Sequence, residues 1–254
     1  MLEAITDIVK GAGKIVREGF FSDKNIRFKG NTDLVTEYDI KTEEYLKEKL
    51  SRAFPDAKII AEESASDLSF DNEQVIYIDP IDGTTNFVHG LPFVAISVGV
   101  FQGKDGKCGA VYNPISDELY TGEAGGGAYC NGERLSVSKN AVLINSLAAT
   151  GFPYEKDNLP FLMKILETVI KNTRGVRRLG AASLDLCYTA KGVFDIYYET
   201  KLKPWDMAAG MIIVRESGGI VTHLNGQYHD MNSDSIIASN GLIHKEFLNL
   251  INEI

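Results

Sequence analysis

Along the first twenty residues the apolar side chains fall at Leu2, Ile5, Ile8, Val9, Ala12, Ile15, Val16 and Phe20. Steps of three and four predict an amphipathic helix over 2–20. The segment IRFKGNTDLVTEYD breaks that rhythm, and IKTEEYLKEKLSRAF resumes it as a second helix that Pro55-Asp56 ends. KIIAEES then begins a strand. Further strands are predicted at 75–79, 94–101, 108–112 and 118–121, divided by the turn signals QGKDGK and NPISDE, and GEAGGGAYCNGERL reads as a Gly-rich hairpin. From about residue 140 strand and helix alternate through SLAATG, PFLMKILETVIKN, GVRRLG, AASLDLCYTAKG and VFDIYYE. WDMAAGMIIVRESGG, IVTHL, SIIAS and HKEFLNLINEI follow. The expected fold is therefore α/β, with an antiparallel-rich α+β half over 1–140 and an α/β half over 141–254. No low-complexity linker and no repeat separates them, so two intimately packed halves are expected.

Composition narrows the chemistry. The chain has 254 residues, 44% of them apolar, which is enough for a substantial core. Its net charge of -9, from 26 basic and 35 acidic residues, argues against a general nucleic-acid binder. It leaves room for a phosphorylated substrate if cations reverse the local sign inside a cleft. Cys108, Cys130 and Cys187 lie far apart without a CxxC and read as reduced, buried thiols. The charged N-terminal segment has neither a signal-peptide core nor a membrane span, so a cytoplasmic protein is expected.

Most of the candidate chemistry is carboxylate. Glu62 and Glu63 close the strand KIIAEES, and Asp79 and Asp82 close VIYIDPID. Strand ends face the crevice where α/β proteins bind ligands. Four oxygen donors from two strands suit a hard cation such as Mg²⁺ or Mn²⁺, although Glu62 and Glu63 also read as solvated strand-end charges. Pro80 and Ile81 form a rigid spacer able to aim a backbone carbonyl at an ion. Gly83-Thr84-Thr85 opens a short helix, either as a plain helix start or as a phosphate-receiving one. Asp39 begins the second helix and Asp206, in KPWD, begins a late apolar one; a capping role accounts for either taken alone. There is no GxxxxGK[ST], no HExxH and no Gly-x-Ser-x-Gly, which argues against a P-loop, zinc or serine-triad site.

Taken together, DLVTEYD at 33–39, AEES at 61–64, DPIDGTTNFVHG at 79–90 and PWDMAAGMIIVRESGG at 204–219 resemble the inositol monophosphatase family. That family lies within the magnesium-dependent sugar phosphatases that include fructose-1,6-bisphosphatase. The resemblance spans nearly the whole chain and implies a layered αβαβα sandwich. It implies a phosphomonoesterase of inositol 1-phosphate using two or three Mg²⁺ ions, with Mn²⁺ as a substitute. Glu62, Asp79 and the Ile81 carbonyl are implied ligands of one ion, Asp79, Asp82 and Asp206 of a second, and Glu62 of a weaker third, with Glu63 in support. Thr84, paired to Asp39, is implied to orient and help deprotonate the attacking water. Gly83 and Thr84 are implied to receive phosphate with Lys29 nearby, and Gly180, Ala181, Ala182 and Glu199 to contact the substrate ring.

Arg177 and Arg178, just before Gly180, set this chain apart from the animal enzymes of the family. They read either as strand-edge surface residues or as ligands for a second phosphate, as in microbial members that also hydrolyse fructose 1,6-bisphosphate. A haloacid-dehalogenase phosphatase is disfavoured, because its motif needs Asp-x-Asp and this chain has Asp-x-x-Asp. A 3′-phosphoadenosine-5′-phosphate phosphatase and a partner of the transcription machinery stand as alternatives. A homodimer, with no membrane or direct nucleic-acid contact, is expected from the same resemblance.

Overall fold

The computed structural model describes residues 1–28, 34–65, 73–153, 159–229, 231 and 233–253. The chain runs α1 (Leu2–Phe20), β1 (Ile26–Phe28), β2 (Leu34–Thr36), α2 (Glu37–Ala53), β3 (Lys58–Ala61), β4 (Gln74–Asp82) and α3 (Thr84–His89). It continues through β5 (Ala95–Gln102), β6 (Asp105–Asn113), β7 (Glu118–Glu123), β8 (Gly127–Cys130), β9 (Glu133–Arg134) and β10 (Leu147–Thr150). Then come α4 (Leu159–Asn172), β11 (Gly175–Arg177), α5 (Ala182–Ala190), β12 (Ile196–Thr200), α6 (Pro204–Glu216), β13 (Ile220–Thr222), β14 (Ser235–Ser239) and α7 (His244–Asn252). The predicted helices and strands are present, and the short pair β1–β2 falls in the stretch where no period was legible. The second helix begins earlier than its apolar pattern indicates, at Glu37, because Thr36 and Asp39 cap it.

Strands β3 to β9 form a seven-stranded sheet in sequence order, parallel only between β3 and β4. A second sheet has the order β11-β10-β12-β14-β13 and mixes parallel and antiparallel pairs. Side chains alternate across each strand, so both sheets are apolar on two faces. On β4, Ile76 and Ile78 meet Val9, Val16 and Leu46 of α1 and α2, whereas Val75 and Tyr77 face Met211 and Ile212 on the opposite side. On β12, Tyr197 turns toward α5 and α6 while Ile196 and Tyr198 pack under Val169 of α4 and Phe247 of α7. Three apolar clusters thus separate five layers: α1 and α2, the first sheet, α5 and α6, the second sheet, α4 and α7. No helix among the described residues is long and apolar enough to cross a membrane.

The middle layer lies unusually close to the first sheet. Gly99, Gly109 and Gly122 are cross-strand neighbours on β5, β6 and β7, forming a bare stripe. A Cβ on Gly99 would lie 2.7 Å from the Ala209 nitrogen, and one on Gly109 would lie 2.8 Å from the Ala209 Cα. Glycine inside a strand weakens it, and here it admits the backbone of α6 instead. That contact fixes the height of Asp206, three residues into the helix.

Gly109→Ala forces backbone against backbone, and overpacking of this kind costs about 1–3 kcal/mol. The expected outcome is a melting temperature lower by roughly 2–10 °C in a chain of this size, read by circular dichroism. An unchanged melting temperature would show that α6 yields freely.

Candidate active site

Asp79 and Asp82 belong to one strand, and in a regular strand residues i and i+3 point to opposite faces. The ladder shows how both reach the same cleft. Asp79 pairs with Ser97 and Asp82 with Ala95, so two residues of β4, Pro80 and Ile81, oppose the single Ile96. This bulge turns the strand end, and proline is tolerated at it because the position need not donate to the ladder. The strand therefore extends three residues past the predicted end at 79 and delivers both aspartates.

The cleft has a volume of about 310 Å³, the scale of a small-ligand site. Its walls include Glu62, Asp79, Asp82 and Asp206, with Gly83 and Thr84 on one side and Arg178, Gly180–Ala182 and Glu199 on the other. Residues predicted from four distant segments thus meet in one place. Lys29 and Asp33 lie outside the described residues. Arg177 does not line the cleft: it is exposed and its guanidinium donates to the Val176 carbonyl at 3.2 Å. Of the arginine pair, Arg178 is the one at the site.

Asp39, Asp206 and Asp82 are each held by an anchor of their own. Asp39 is fully buried at the third position of α2, where its Oδ2 accepts from the Thr36 amide at 2.8 Å and from the Thr36 hydroxyl at 2.6 Å. Its Oδ1 accepts from the Thr84 hydroxyl at 3.1 Å. One carboxylate thus caps α2 with one oxygen and holds Thr84 with the other. Asp206 repeats the device at the third position of α6, accepting from the Lys203 amide at 2.7 Å. Asp82 reaches across to α5, whose N-cap residue Ala181 has no capping side chain, and accepts from the amides of Ala182 at 3.2 Å and Ser183 at 2.7 Å.

Asp79 differs. It is buried, and its Oδ1 has no hydrogen-bond partner among the described residues. Burial pushes its carboxyl well above the usual carboxylate range, and the negative charges of Glu62, Asp82 and Asp206 push it further. Asp206 is raised by burial and then by Glu62, against the pull of the Lys203 amide. Asp82 is raised by burial despite the Ser183 and Ala182 donors. Burial also takes Glu199 up to about 7, although the Tyr197 hydroxyl and Arg178 oppose the shift.

Among the described residues, no three acidic, imidazole or thiol side chains are drawn to one point as a closed coordination shell would have them. The donor set nevertheless fits a hard divalent cation, being all oxygen, strongly acidic and centred on a buried carboxylate oxygen without a hydrogen-bond partner among the described residues.

Sequence reasoning left four participants without a role. Asn86 donates its side-chain amide to the carbonyls of Phe93 and Leu179, at 2.8 Å each, tying the segment after α3 to the segment before α5. Ser183 anchors Asp82. Asp185 is fully buried with both oxygens unpartnered among the described residues, and burial raises its carboxyl, with Glu199 and Asp82 adding to the shift. Glu43 accepts from the Glu63 amide. Only Glu43 carried a sequence signal, since it stands one helical turn after Asp39.

Comparison with known proteins gives one consistent answer. The family model described as "Inositol monophosphatase family" matches residues 1–254. Inositol monophosphatase 3 of Solanum lycopersicum is 38% identical, over 99% of this chain and 96% of that protein. A protein of Thermotoga maritima named fructose-1,6-bisphosphatase/inositol-1-monophosphatase is 40% identical, over 89% of this chain and 85% of its own length. The crystal structure of the extragenic suppressor protein suhB from Bartonella henselae superposes with a TM-score of 0.93 at 35% identity, covering 99% of this chain and 98% of that one.

A carboxyl whose pKa is raised on folding binds its proton more tightly in the folded state. Stability then falls as pH rises from the ordinary carboxylate value, ~4, toward the raised value. In chelator, Asp79→Asn is expected to flatten this decline and to melt a few degrees higher than the parent at pH 8. Melting curves across pH 5–8 check it, and a lower melting temperature for the variant at pH 8 would contradict the account.

Proposed function

The chain belongs to the inositol monophosphatase family, whose members are metal-dependent phosphoric monoester hydrolases, and from that premise we propose that it hydrolyses inositol 1-phosphate with Mg²⁺ as its cation. The observation that carries the reading is the Thr84–Asp39 hydrogen bond behind a cleft that Thr84 shares with Asp79, whose inner oxygen has no partner among the described residues. Glu62, Asp79 and the Ile81 carbonyl would hold one ion, Asp79, Asp82 and Asp206 a second, and Glu62 a weaker third. Bound there, such ions neutralise the acids and the phosphate charge and make a coordinated water more acidic.

The chain's own groups supply position. The Thr84 proton has two acceptors at 3.1 Å, Asp39 Oδ1 and the Ile81 carbonyl. A carbonyl committed to a cation leaves Asp39 as the acceptor. The threonine oxygen then presents its lone pairs outward and accepts a hydrogen bond from the attacking water, directing that water's oxygen at phosphorus. As the water gives its proton to this oxygen, the Thr84 proton passes to Asp39 Oδ1. As the new P–O bond forms the ester P–O bond breaks, and the departing alkoxide takes a proton from solvent. Gly83 fits the phosphate side of the cleft, since its φ is +89° and a Cβ there would lie 3.0 Å from the Phe93 carbonyl oxygen. Ala181, Ala182 and Glu199 wall the end left for the hydroxyl-bearing ring, and Gly180 carries the turn beside them.

A second substrate is favoured by one observation. A Cβ on Gly180 would lie 2.4 Å from Nη1 of Arg178, so the guanidinium lies folded against the substrate wall. We propose that Arg178 binds a second phosphate, making fructose 1,6-bisphosphate a substrate as well. The reading extends to a cytoplasmic homodimer built from halves at 1–140 and 141–254, on the strength of the family resemblance.

Phosphate release from inositol 1-phosphate is expected to require Mg²⁺ and to fall about 10²–10⁴-fold in Thr84→Ala, the range of a positioned proton acceptor. Asp79→Asn is expected to remove turnover while the fold persists. Arg178→Ala should reduce kcat/KM at least tenfold more on fructose 1,6-bisphosphate than on inositol 1-phosphate. An equal loss on both substrates rejects the second-phosphate role, and activity in chelator rejects the mechanism.

A further inference from the structure

Glu43 is buried on α2, four residues after Asp39, so both lie on one face of the helix, and Lys47 continues that row a turn later. Its Oε2 accepts from the Glu63 amide at 2.8 Å. Lys47 stands 3.8 Å from the other oxygen of Glu43 and donates to the Ser64 hydroxyl at 2.9 Å. The peptide these two contacts grip is the turn that carries Glu62 out of β3. On its other side the turn is held by the Glu62 amide donating to the Ile78 carbonyl at 3.1 Å, next to Asp79 on β4.

From this geometry we infer that Glu43 is a positioning residue for the cation site: with Lys47 it clamps the 62–64 turn to α2 and so sets the affinity of the Glu62 arm. The inference rests on the reading of Glu62 as a cation ligand. A ligand on a short turn binds well only if its backbone is already fixed, since ordering it on binding costs conformational entropy. Supporting contacts behind metal ligands are typically worth 10–100-fold in affinity. The arrangement also gives α2 two tasks at once. Its first turn points Asp39 at Thr84, and its second turn holds the segment bearing Glu62. A displacement of α2 would thus move the water-orienting pair and a cation ligand together.

The test titrates MgCl₂ into the full chain and follows the Mg²⁺-induced rise in melting temperature and the heat of binding, alongside the Mg²⁺ midpoint for phosphate release. Glu43→Ala is expected to raise the midpoint about tenfold in all three readouts, with kcat at saturating Mg²⁺ within about twofold of the parent. Glu43→Gln keeps an acceptor oxygen for the Glu63 amide and is expected to recover most of the affinity. Lys47→Ala, which leaves that hydrogen bond in place, should shift the midpoint by less. A parental midpoint in Glu43→Ala overturns the proposal, as does a lower melting temperature in chelator with no change in Mg²⁺ affinity, the signature of a merely structural glutamate. If Glu43→Ala does not fold, a Glu43→Gln variant that binds Mg²⁺ like the parent supports the proposal, and one weakened as severely as Glu62→Gln overturns it. Glu62→Gln separates the premise from the inference. A parental midpoint in that variant removes Glu62 from the site and the inference with it, whereas a shift there without one in Glu43→Ala defeats the inference alone.

Discussion

Like charges drawn into one cleft have to be held there by something. Three of the acids in or behind this cleft are tied to the N-terminus of a different helix: Asp39 to α2, Asp206 to α6 and Asp82 to α5. Helix starts present unsatisfied N–H groups and the positive end of the macrodipole, so each anchor offsets part of the repulsion its aspartate brings. The arrangement also explains why the acids are spread along the chain. The three helix starts belong to three segments that only the tertiary fold unites.

Asp79 is the exception around which the others are arranged. It lies on a strand and is tied to no helix start, and its inner oxygen has no hydrogen-bond partner among the described residues. Burial alone does not set Asp79 apart, because Asp39 and Asp82 are buried as well; the lack of a helix-start anchor does.

Much of this was legible in the sequence because it is local. The periodicity of α1 and α2, the strand before Asp79 and the acids at strand ends are short-range signals. The capping role of Asp39 is legible from its place at a helix start, whereas its second oxygen's bond to Thr84, 45 residues away, is not. The roles of Asp82 on α5 and of Asn86 across the halves were invisible, since they join residues roughly a hundred positions apart through backbone groups that carry no sequence signature. Arg177 and Arg178 are chemically identical, and only the turn at Gly180 decides which one reaches the cleft. The glycine stripe under α6 was equally silent, because Gly99, Gly109 and Gly122 become neighbours only once three strands are in register.

The bulge at Pro80-Ile81 has a consequence for the kind of site this strand can build. A regular strand with Asp-x-Asp would also place two carboxylates on one face, with every intervening carbonyl committed to a neighbouring strand. The extra residue costs a step of the ladder and releases the Ile81 carbonyl, which accepts from Thr84 rather than from β5. The strand end thereby offers a neutral oxygen between two anionic ones. Such a mixed donor set carries less total negative charge than one built of carboxylates alone, and so repels an anionic ester less. Spacing that looks like a departure from the simpler motif is, in this fold, a means of adjusting charge without adding another acid.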